Sequence, residues 1–284
     1  MDSQSITGSD SFRFIVGENE TVFSVDPIPF TQASVCFGEK INHPSPGTRP
    51  NEAVLPDLNT ETFEALKAYV YTRDYETPRA PQHDDGSTSY KIEDLSKEGK
   101  EAWKAERMPL YKMYTSRCQG YLDERLGLKD SLDDCKPPTG RTHEPEKMNC
   151  RGADYTPVFM CHAKLYFAGK RYEVVGLAEL ALHKLCRTIE VWVDWYEVLP
   201  DLVVLLSYVC EKAETGDRMR KILRDFVALK YSDYQYHPVV ARFLQANSQF
   251  LMEATTRISE EKNNAAKTLG NYRDDDIRPY PVEA

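Results

Sequence analysis

The amphipathic pattern of this chain comes in two parts, and a long polar stretch separates them. The parts are Leu55–Thr72 and His162–Tyr172, where apolar side chains recur every three or four residues, as on one face of a helix. The recurring positions are Phe63, Leu66 and Val70 in the first part, and Val158, Cys161, Leu165, Ala168 and Tyr172 around the second. Either apolar face would be exposed to water without a partner. The sequence therefore predicts that the two parts meet in space while the polar stretch loops out.

The polar stretch, residues 79–156, has the composition of an insertion. Proline, glycine, serine and charged residues dominate its ends, which predicts linkers without a packed core. Between them, Ile92–Leu132 carries enough apolar residues for one or two amphipathic helices. Its charged run Lys97–Arg107 is typical of a solvated helix face, in which Trp103 alone could indicate a docking role. We therefore expect a partly helical insertion with disordered ends.

The remaining segments predict a small sheet and several helices. Phe12–Val16 and Thr21–Val25 are β-prone runs around a polar turn, which favours a hairpin, and Ala53–Leu55 is a third short strand. The predicted helices are one over Phe30–Phe37, one capped by Asn59 or Thr60, and further ones over Leu177–Leu185, Leu199–Val209, Met219–Val227 and His237–Leu251. The fold class is therefore α+β, mainly helical with a small β-sheet and a C-terminal helical extension. Residues 1–10 and 259–284 are expected to be disordered.

Composition excludes several classes of function. The 284 residues include 36 basic and 45 acidic side chains, a net charge of −9, which gives no electrostatic reason to bind nucleic acid or an anionic membrane. No apolar run is long enough to span a bilayer, and Met1–Asp10 is too polar for a signal peptide. Seven irregularly spaced cysteines indicate reduced thiols rather than a disulfide framework. We expect a cytoplasmic or nuclear protein with protein partners.

The order of these elements, together with several short motifs, resembles a BTB/POZ domain, especially those of fungi, in which inserted sequence and following helices are common. The motifs are Ala33-Ser34, Phe37, Leu55-Pro-Asp57, Thr62-Phe63 and Tyr69-Val-Tyr-Thr72 in the first half, and His162–Tyr172, Gly176-Leu177 and Ala181–Leu185 in the second. The resemblance implies a discontinuous domain over residues 11–78 and 157–188, followed by a helical region over 189–258. The chain departs from the pattern at Val25-Asp26-Pro27, where a Val-His-Lys step is common, at Gly169, where an acidic residue is usual, and at Arg171, which is added before Tyr172.

The resemblance implies a non-enzymatic module that forms dimers or recruits protein partners. The fairly apolar hairpin Phe12–Val25 also predicts self-association, as a homodimer. An adaptor for a cullin-type ubiquitin ligase is the most concrete version, although the candidate cullin motifs, Phe37-Gly-Glu39 and Pro50-Asn-Glu52, are poorly placed. The alternative is a nuclear protein, associated with transcription or chromatin, that acts through protein partners.

The residue types that carry chemistry do not form a familiar site. His143, Cys150, Cys161 and His162 are zinc-ligand types at spacings that match no known zinc pattern, and we expect His162 to border the core. Cys36 is expected to pack rather than react, and Asp133-Asp134 and Asp274–Asp276 to be solvated charges. Trp192 and Trp195 could form a peptide-binding face, but joining the domain to the C-terminal helices is the favoured interpretation. The sequence thus predicts no catalytic residue, no metal ligand and no cofactor.

Overall fold

A computed structural model describes residues 11–43, 49–81, 153–192, 198–257 and 259. The chain divides into two compact units, the first reaching Asp201 and the second beginning at Leu202. The described part is mostly helical with one small sheet, which confirms the α+β class.

Several predictions concern residues outside the described ranges. These are the disorder of residues 1–10, most of the 79–156 insertion with its helices, and almost all of the 259–284 tail. The predicted boundary between 188 and 189 stays a prediction; the two compact units divide at 201 and 202.

The sheet has three described strands: β1 (Phe12–Val16), β2 (Thr21–Val25) and β3 (Glu52–Leu55). The predicted hairpin is confirmed, since β1 pairs antiparallel with β2, and β1 also pairs in parallel with β3 to give the order β2-β1-β3. Gly17 begins the hairpin turn at a φ of 72°, a left-handed conformation that favours glycine. The central strand thus fixes the hairpin and β3 in one sheet.

The predicted single helix over Phe30–Phe37 is wrong, because the segment forms two helices, α1 (Pro27–Ala33) and α2 (Val35–Asn42). Ser34 between them is extended and forms an antiparallel bridge with Val174. Its hydroxyl donates to the Tyr172 carbonyl and accepts from the Phe37 amide, so it also caps α2. A contact with residues far along the chain therefore decides where α1 ends.

The residues Val25-Asp26-Pro27 join β2 to α1. The Asp26 side chain accepts a hydrogen bond from the Ile28 amide at 3.0 Å, and Pro27 occupies the first helical turn. Proline is favourable there because the first amides of a helix have no intrahelical partner. These residues end β2 and begin α1.

Helix α3 (Thr60–Thr72) agrees with the first predicted amphipathic part. Asn59, one of the two predicted caps, accepts from the Thr62 amide at 3.0 Å. The predicted face is buried: Phe63, Leu66 and Val70. The helix ends at Arg73 in a left-handed conformation.

Helices α4 (Thr156–Arg171) and α5 (Leu177–Val191) form an antiparallel pair, as the second predicted part and the Leu177–Leu185 pattern indicated. A Cβ added at Gly169 would lie 2.8 Å from the Ala178 amide nitrogen. Any side chain at this position would therefore force the two helices apart. Gly176, with a φ of 77°, makes the turn between them.

The two amphipathic parts meet, as predicted. The Tyr69 hydroxyl of α3 donates to the Val175 carbonyl at 2.8 Å, and Arg171 of α4 forms an ion pair with Asp57. Phenylalanines of the sheet and of α1 to α3 lie against one another below them, with ring centroids about 5 to 6 Å apart: Phe14, Phe30, Phe37 and Phe63. The first unit therefore has one core built from both sides of the insertion.

Helix α6 (Leu199–Lys212) crosses the division between the two units. Three further helices follow it in the second unit: α7 (Arg218–Tyr234), α8 (Pro238–Ala246) and α9 (248–257). The predicted helix over His237–Leu251 is wrong as one element, because it breaks at Asn247. The Asn247 backbone and side-chain nitrogens both donate to the Phe243 carbonyl at 2.9 Å, which ends α8.

Candidate interaction surface and buried polar network

Two exposed valines from distant parts of the chain, Val35 and Val175, each directly follow a residue of the Ser34–Val174 bridge at the end of α1. The Ser34–Val174 bridge aligns their segments, and the Val175 amide donates to the Ala33 carbonyl at 3.0 Å. Val35 is 69% exposed and Val175 is 71% exposed. Single exposed valines are ordinary, but here one backbone bridge brings two of them to the same region at the end of α1.

A second exposed apolar pair lies at the start of α1. The Tyr71 hydroxyl accepts from the Asp26 amide at 3.1 Å, and its ring lies edge-on to Phe30 with centroids 6.0 Å apart. Tyr71 is 47% exposed and Ile28, two residues beyond Asp26, is 57% exposed. We call the four side chains Ile28, Val35, Tyr71 and Val175 the α1 face. They bring apolar surface to both ends of α1.

The outer side of the sheet carries a smaller apolar row. Val22 and Val54 are exposed, and the strand register places both opposite half-buried Ile15. The adjacent row is polar, because Arg13 forms an ion pair with Glu52. This row has two exposed apolar side chains, against four in the α1 face, and a charged pair lies beside it.

A polar network lies inside the first unit, where residues after α3 meet α4 and α5. The Tyr75 hydroxyl lies 2.8 Å from Nδ1 of His162, and Thr188 Oγ1 lies 3.5 Å from Nε2. The Lys184 ammonium donates to Asp74 Oδ1 and to the Tyr75 carbonyl, both at 2.6 Å, and lies 4.1 Å from the centre of the Tyr75 ring. The network ties the two sides of the insertion together.

Burial dominates the protonation of this network. It raises the pKa of Tyr75 well above its ordinary value, and the neighbouring Cys161 and Asp74 raise that pKa further. Burial also raises the pKa of the Cys161 thiol to about 11, although Lys184 and Lys164 oppose the shift. A thiol with this pKa holds its proton at neutral pH and is a poor nucleophile. The chemistry of the network is therefore suited to holding the fold together.

The structure places His162 in the core instead of at its border. The side chain is fully buried, whereas Cys161, which the sequence assigned to the apolar face, is half-buried. His143 and Cys150, the other two zinc-ligand candidates, lie outside the described residues. Within the described ranges, no group of three or more histidine, cysteine or acidic side chains could hold a metal ion.

Some of the other candidate residues lie within the described part of the chain, and some lie outside it. Trp192 is buried and packs edge-on against Phe159, with centroids 5.4 Å apart, and against Tyr155 at 6.4 Å. It is thus a core residue of the first unit. Cys36 on α2 is half-buried. Outside the described residues lie Trp103, Asp133-Asp134, Trp195 and Asp274–Asp276.

Sequence reasoning missed Lys184 and the α1 face. Lys184 was detectable, because it lies four residues after Leu180 and three after Ala181, on the apolar stripe of α5. A charged residue on such a stripe needs a buried partner. The α1 face had no such signal, since only the tertiary bridge between Ser34 and Val174 brings the segments of Val35 and Val175 together.

No protein-family model matches this sequence, and no curated protein matches it either. Among the described helices, none combines the length and apolar character that crossing a membrane requires.

Proposed function

We propose that this chain is a non-enzymatic protein–protein interaction module of the BTB/POZ type, which self-associates and recruits protein partners in the cytoplasm or nucleus. The arrangement of elements supports the family assignment. A helical pair, α1 and α2, lies between β2 and β3; α3 follows, and a second helical pair, α4 and α5, comes after the insertion. The same core contains the motif residues that carry the resemblance, among them Ser34, Phe37 and Phe63.

The observation that carries the interaction function is the α1 face. Its four apolar side chains are between 47% and 71% exposed, although the fold has buried most other large apolar residues of the first unit. Burying apolar surface of this kind is the main source of affinity between proteins. The network around His162 supports a non-enzymatic function, since Tyr75, His162 and Lys184 are all buried and hydrogen-bonded.

Self-association through the α1 face is favoured over self-association through the hairpin. The large apolar side chains of the hairpin that suggested an interface are buried in the chain's own core: Phe12, Phe14, Val16 and Val25. They are therefore not available to a second copy without unfolding. Val35 and Val175 are available.

The test compares the natural chain with V35D/V175D and with a control, V204D, which changes an exposed valine of α6. Light scattering across a wide concentration range should show a dimer for the natural chain and V204D, and a monomer for V35D/V175D. Equal masses for all three proteins would refute self-association through this face.

Affinity purification of the same three proteins tests partner recruitment. Adaptor function for a ubiquitin ligase, the most concrete version of the proposal, requires that a cullin scaffold co-purifies with the natural chain. A partner that V204D retains and V35D/V175D loses would be a partner that binds the α1 face. Partners that V35D/V175D retains in full would show that recruitment uses another surface.

A further inference from the structure

The outer side of the sheet in the first unit leaves apolar side chains open to solvent. Successive side chains of a strand point to opposite faces of a sheet. The strand register therefore places Val22, Ile15 and Val54 side by side across all three strands, and we call these three side chains the outer row. Val22 is 54% exposed and Val54 is 43% exposed. A partner that covered the outer row would gain affinity by removing this apolar surface from water.

Acidic side chains lie at one side of the outer row. Glu18 and Glu20 are exposed and belong to the turn between β1 and β2, and Glu20 lies two residues before Val22. The Glu20 amide donates to the Gly17 carbonyl at 3.2 Å, which fixes the turn. Neither carboxylate forms an ion pair with another residue in the described part of the chain. The turn therefore makes this side of the outer row negative.

The opposite side of the outer row carries no comparable charge. There the strand register aligns Ser24, Arg13 and Glu52, and the Arg13 guanidinium forms an ion pair with the Glu52 carboxylate. Because these two charges compensate each other, the electrostatic preference of this face comes from the turn.

An apolar row beside two carboxylates selects the chemistry of a partner. Lysine and arginine have an apolar stem that ends in a cation, so they can cover a valine and pair with a carboxylate at the same time. A second copy of this chain fits less well. A symmetric contact brings the same face of both copies together, which would place Glu18 and Glu20 near the like charges of the other copy.

We propose that the outer row and the Glu18–Glu20 turn form a second interaction surface, which binds a basic segment of a partner protein. An apolar side chain of that segment lies over Val22 and Val54, and lysine or arginine side chains pair with Glu18 and Glu20. Because the contact is small, the complex is weak and transient. The inference goes beyond the α1 face, with which the outer row shares no residue, so either surface can fail its test without the other.

Peptides titrated into the full-length protein test the required chemistry. Fluorescein-labelled Lys-Leu-Lys-Lys-Leu-Lys has the proposed character, Lys-Ser-Lys-Lys-Ser-Lys lacks the apolar side chains, and Glu-Leu-Glu-Glu-Leu-Glu reverses the charge. Fluorescence anisotropy should show that the first peptide binds, that the second binds several-fold more weakly, and that the third does not bind. No binding of the first peptide, or equal binding of the first and either other peptide, would overturn the proposal.

Matched variants locate the binding site. V22T/V54T exchanges one methyl group of each valine for a hydroxyl and keeps the β-branched shape, and E18K/E20K reverses the charge of the turn. Each should weaken binding of the first peptide several-fold. The controls are V35T/V175T, which makes the same exchange in the α1 face, and E211K/E214K, which reverses two exposed glutamates of the second unit. Both controls should leave the affinity unchanged.

The controls also define the result that would contradict the site. Circular dichroism melting first establishes that each variant is folded. If V35T/V175T weakens binding as much as V22T/V54T, or E211K/E214K as much as E18K/E20K, the peptide binds another surface or responds only to net charge, and the proposal is overturned.

Light scattering distinguishes a partner protein from a second copy. V22T/V54T should have the same mass as the natural chain at every concentration, whatever that mass is. A lower mass for V22T/V54T would assign the outer row to self-association and overturn the proposal.

Discussion

The Tyr75 hydroxyl and Nδ1 of His162, which belong to opposite sides of the insertion, lie 2.8 Å apart in the core of the first unit. Both side chains are buried, so neither can exchange this hydrogen bond for one with water. The pair couples the segment that follows α3 to α4.

Tyr75→Phe should destabilise the protein by about 1–3 kcal/mol, because it leaves a buried ring nitrogen of His162 without this partner. The substitution keeps the aromatic ring that faces Lys184. Urea unfolding measures the change. The control is Tyr236→Phe, at a site that is 79% exposed, which should change the free energy of unfolding by less than about 0.5 kcal/mol. Equal stability of Y75F and the natural chain would show that the hydrogen bond contributes nothing net.

The stability of the protein should fall as the pH rises from 9 towards 11. Folding raises the pKa of Cys161 from 9.0 to about 11, so the folded state holds this proton more tightly than the unfolded state. The resulting stabilisation is complete below pH 9 and disappears as the pH approaches 11, with a size on the order of 2 kcal/mol. Tyr75, whose pKa burial also raises, acts in the same direction.

Cys161→Ala isolates the thiol contribution to this pH dependence. Urea unfolding at pH 8 and at pH 10.5 should show a smaller loss of stability in C161A than in the natural chain. If the free energy of unfolding falls by the same amount in both proteins between pH 8 and pH 10.5, the thiol does not titrate as its burial implies.

Residues 82–152 should be removable without loss of the fold of the first unit. The Asp154 amide donates to the Pro81 carbonyl at 2.9 Å, so the two ends of this segment already meet. Replacement by a short glycine-serine linker should leave stability equal or raised by up to about 2 kcal/mol, since each halving of a loop contributes about 0.6 kcal/mol. Circular dichroism and urea unfolding would measure this, and a shortened chain without a cooperative transition would contradict it.

Leu165→Asp should unfold the first unit, because the Leu165 side chain is completely buried and an aspartate there would be an unpaired charge. Lys170→Asp, an exposed site on the same helix, should cost only about 1 kcal/mol through the helix dipole. Thermal melting monitored by circular dichroism distinguishes the two. A cooperative melt of L165D at the natural temperature would mean that the buried face of α4 is wrongly assigned.

Local sequence patterns predicted much of the fold correctly. The hairpin of β1 and β2, the cap at Asn59 and the buried face of α3 all follow from side chains within a few residues of one another. Helix breaks were less predictable. Ser34 leaves the helical conformation because its backbone pairs with Val174 and its hydroxyl bonds to Tyr172, and neither partner is local.

The candidate surface and the buried network show the same difference between what local sequence patterns predict and what tertiary packing determines. Apolar periodicity showed which faces needed burial, and the polar stretch between them showed that the parts had to meet across an insertion. Only the tertiary structure brought the segments of Val35 and Val175 together, and only it placed the carboxylate of Asp74 beside buried Lys184. The physical reason is range: periodicity and capping act within a few residues, whereas a shared surface or a buried ion pair depends on which distant segments the packed core brings together.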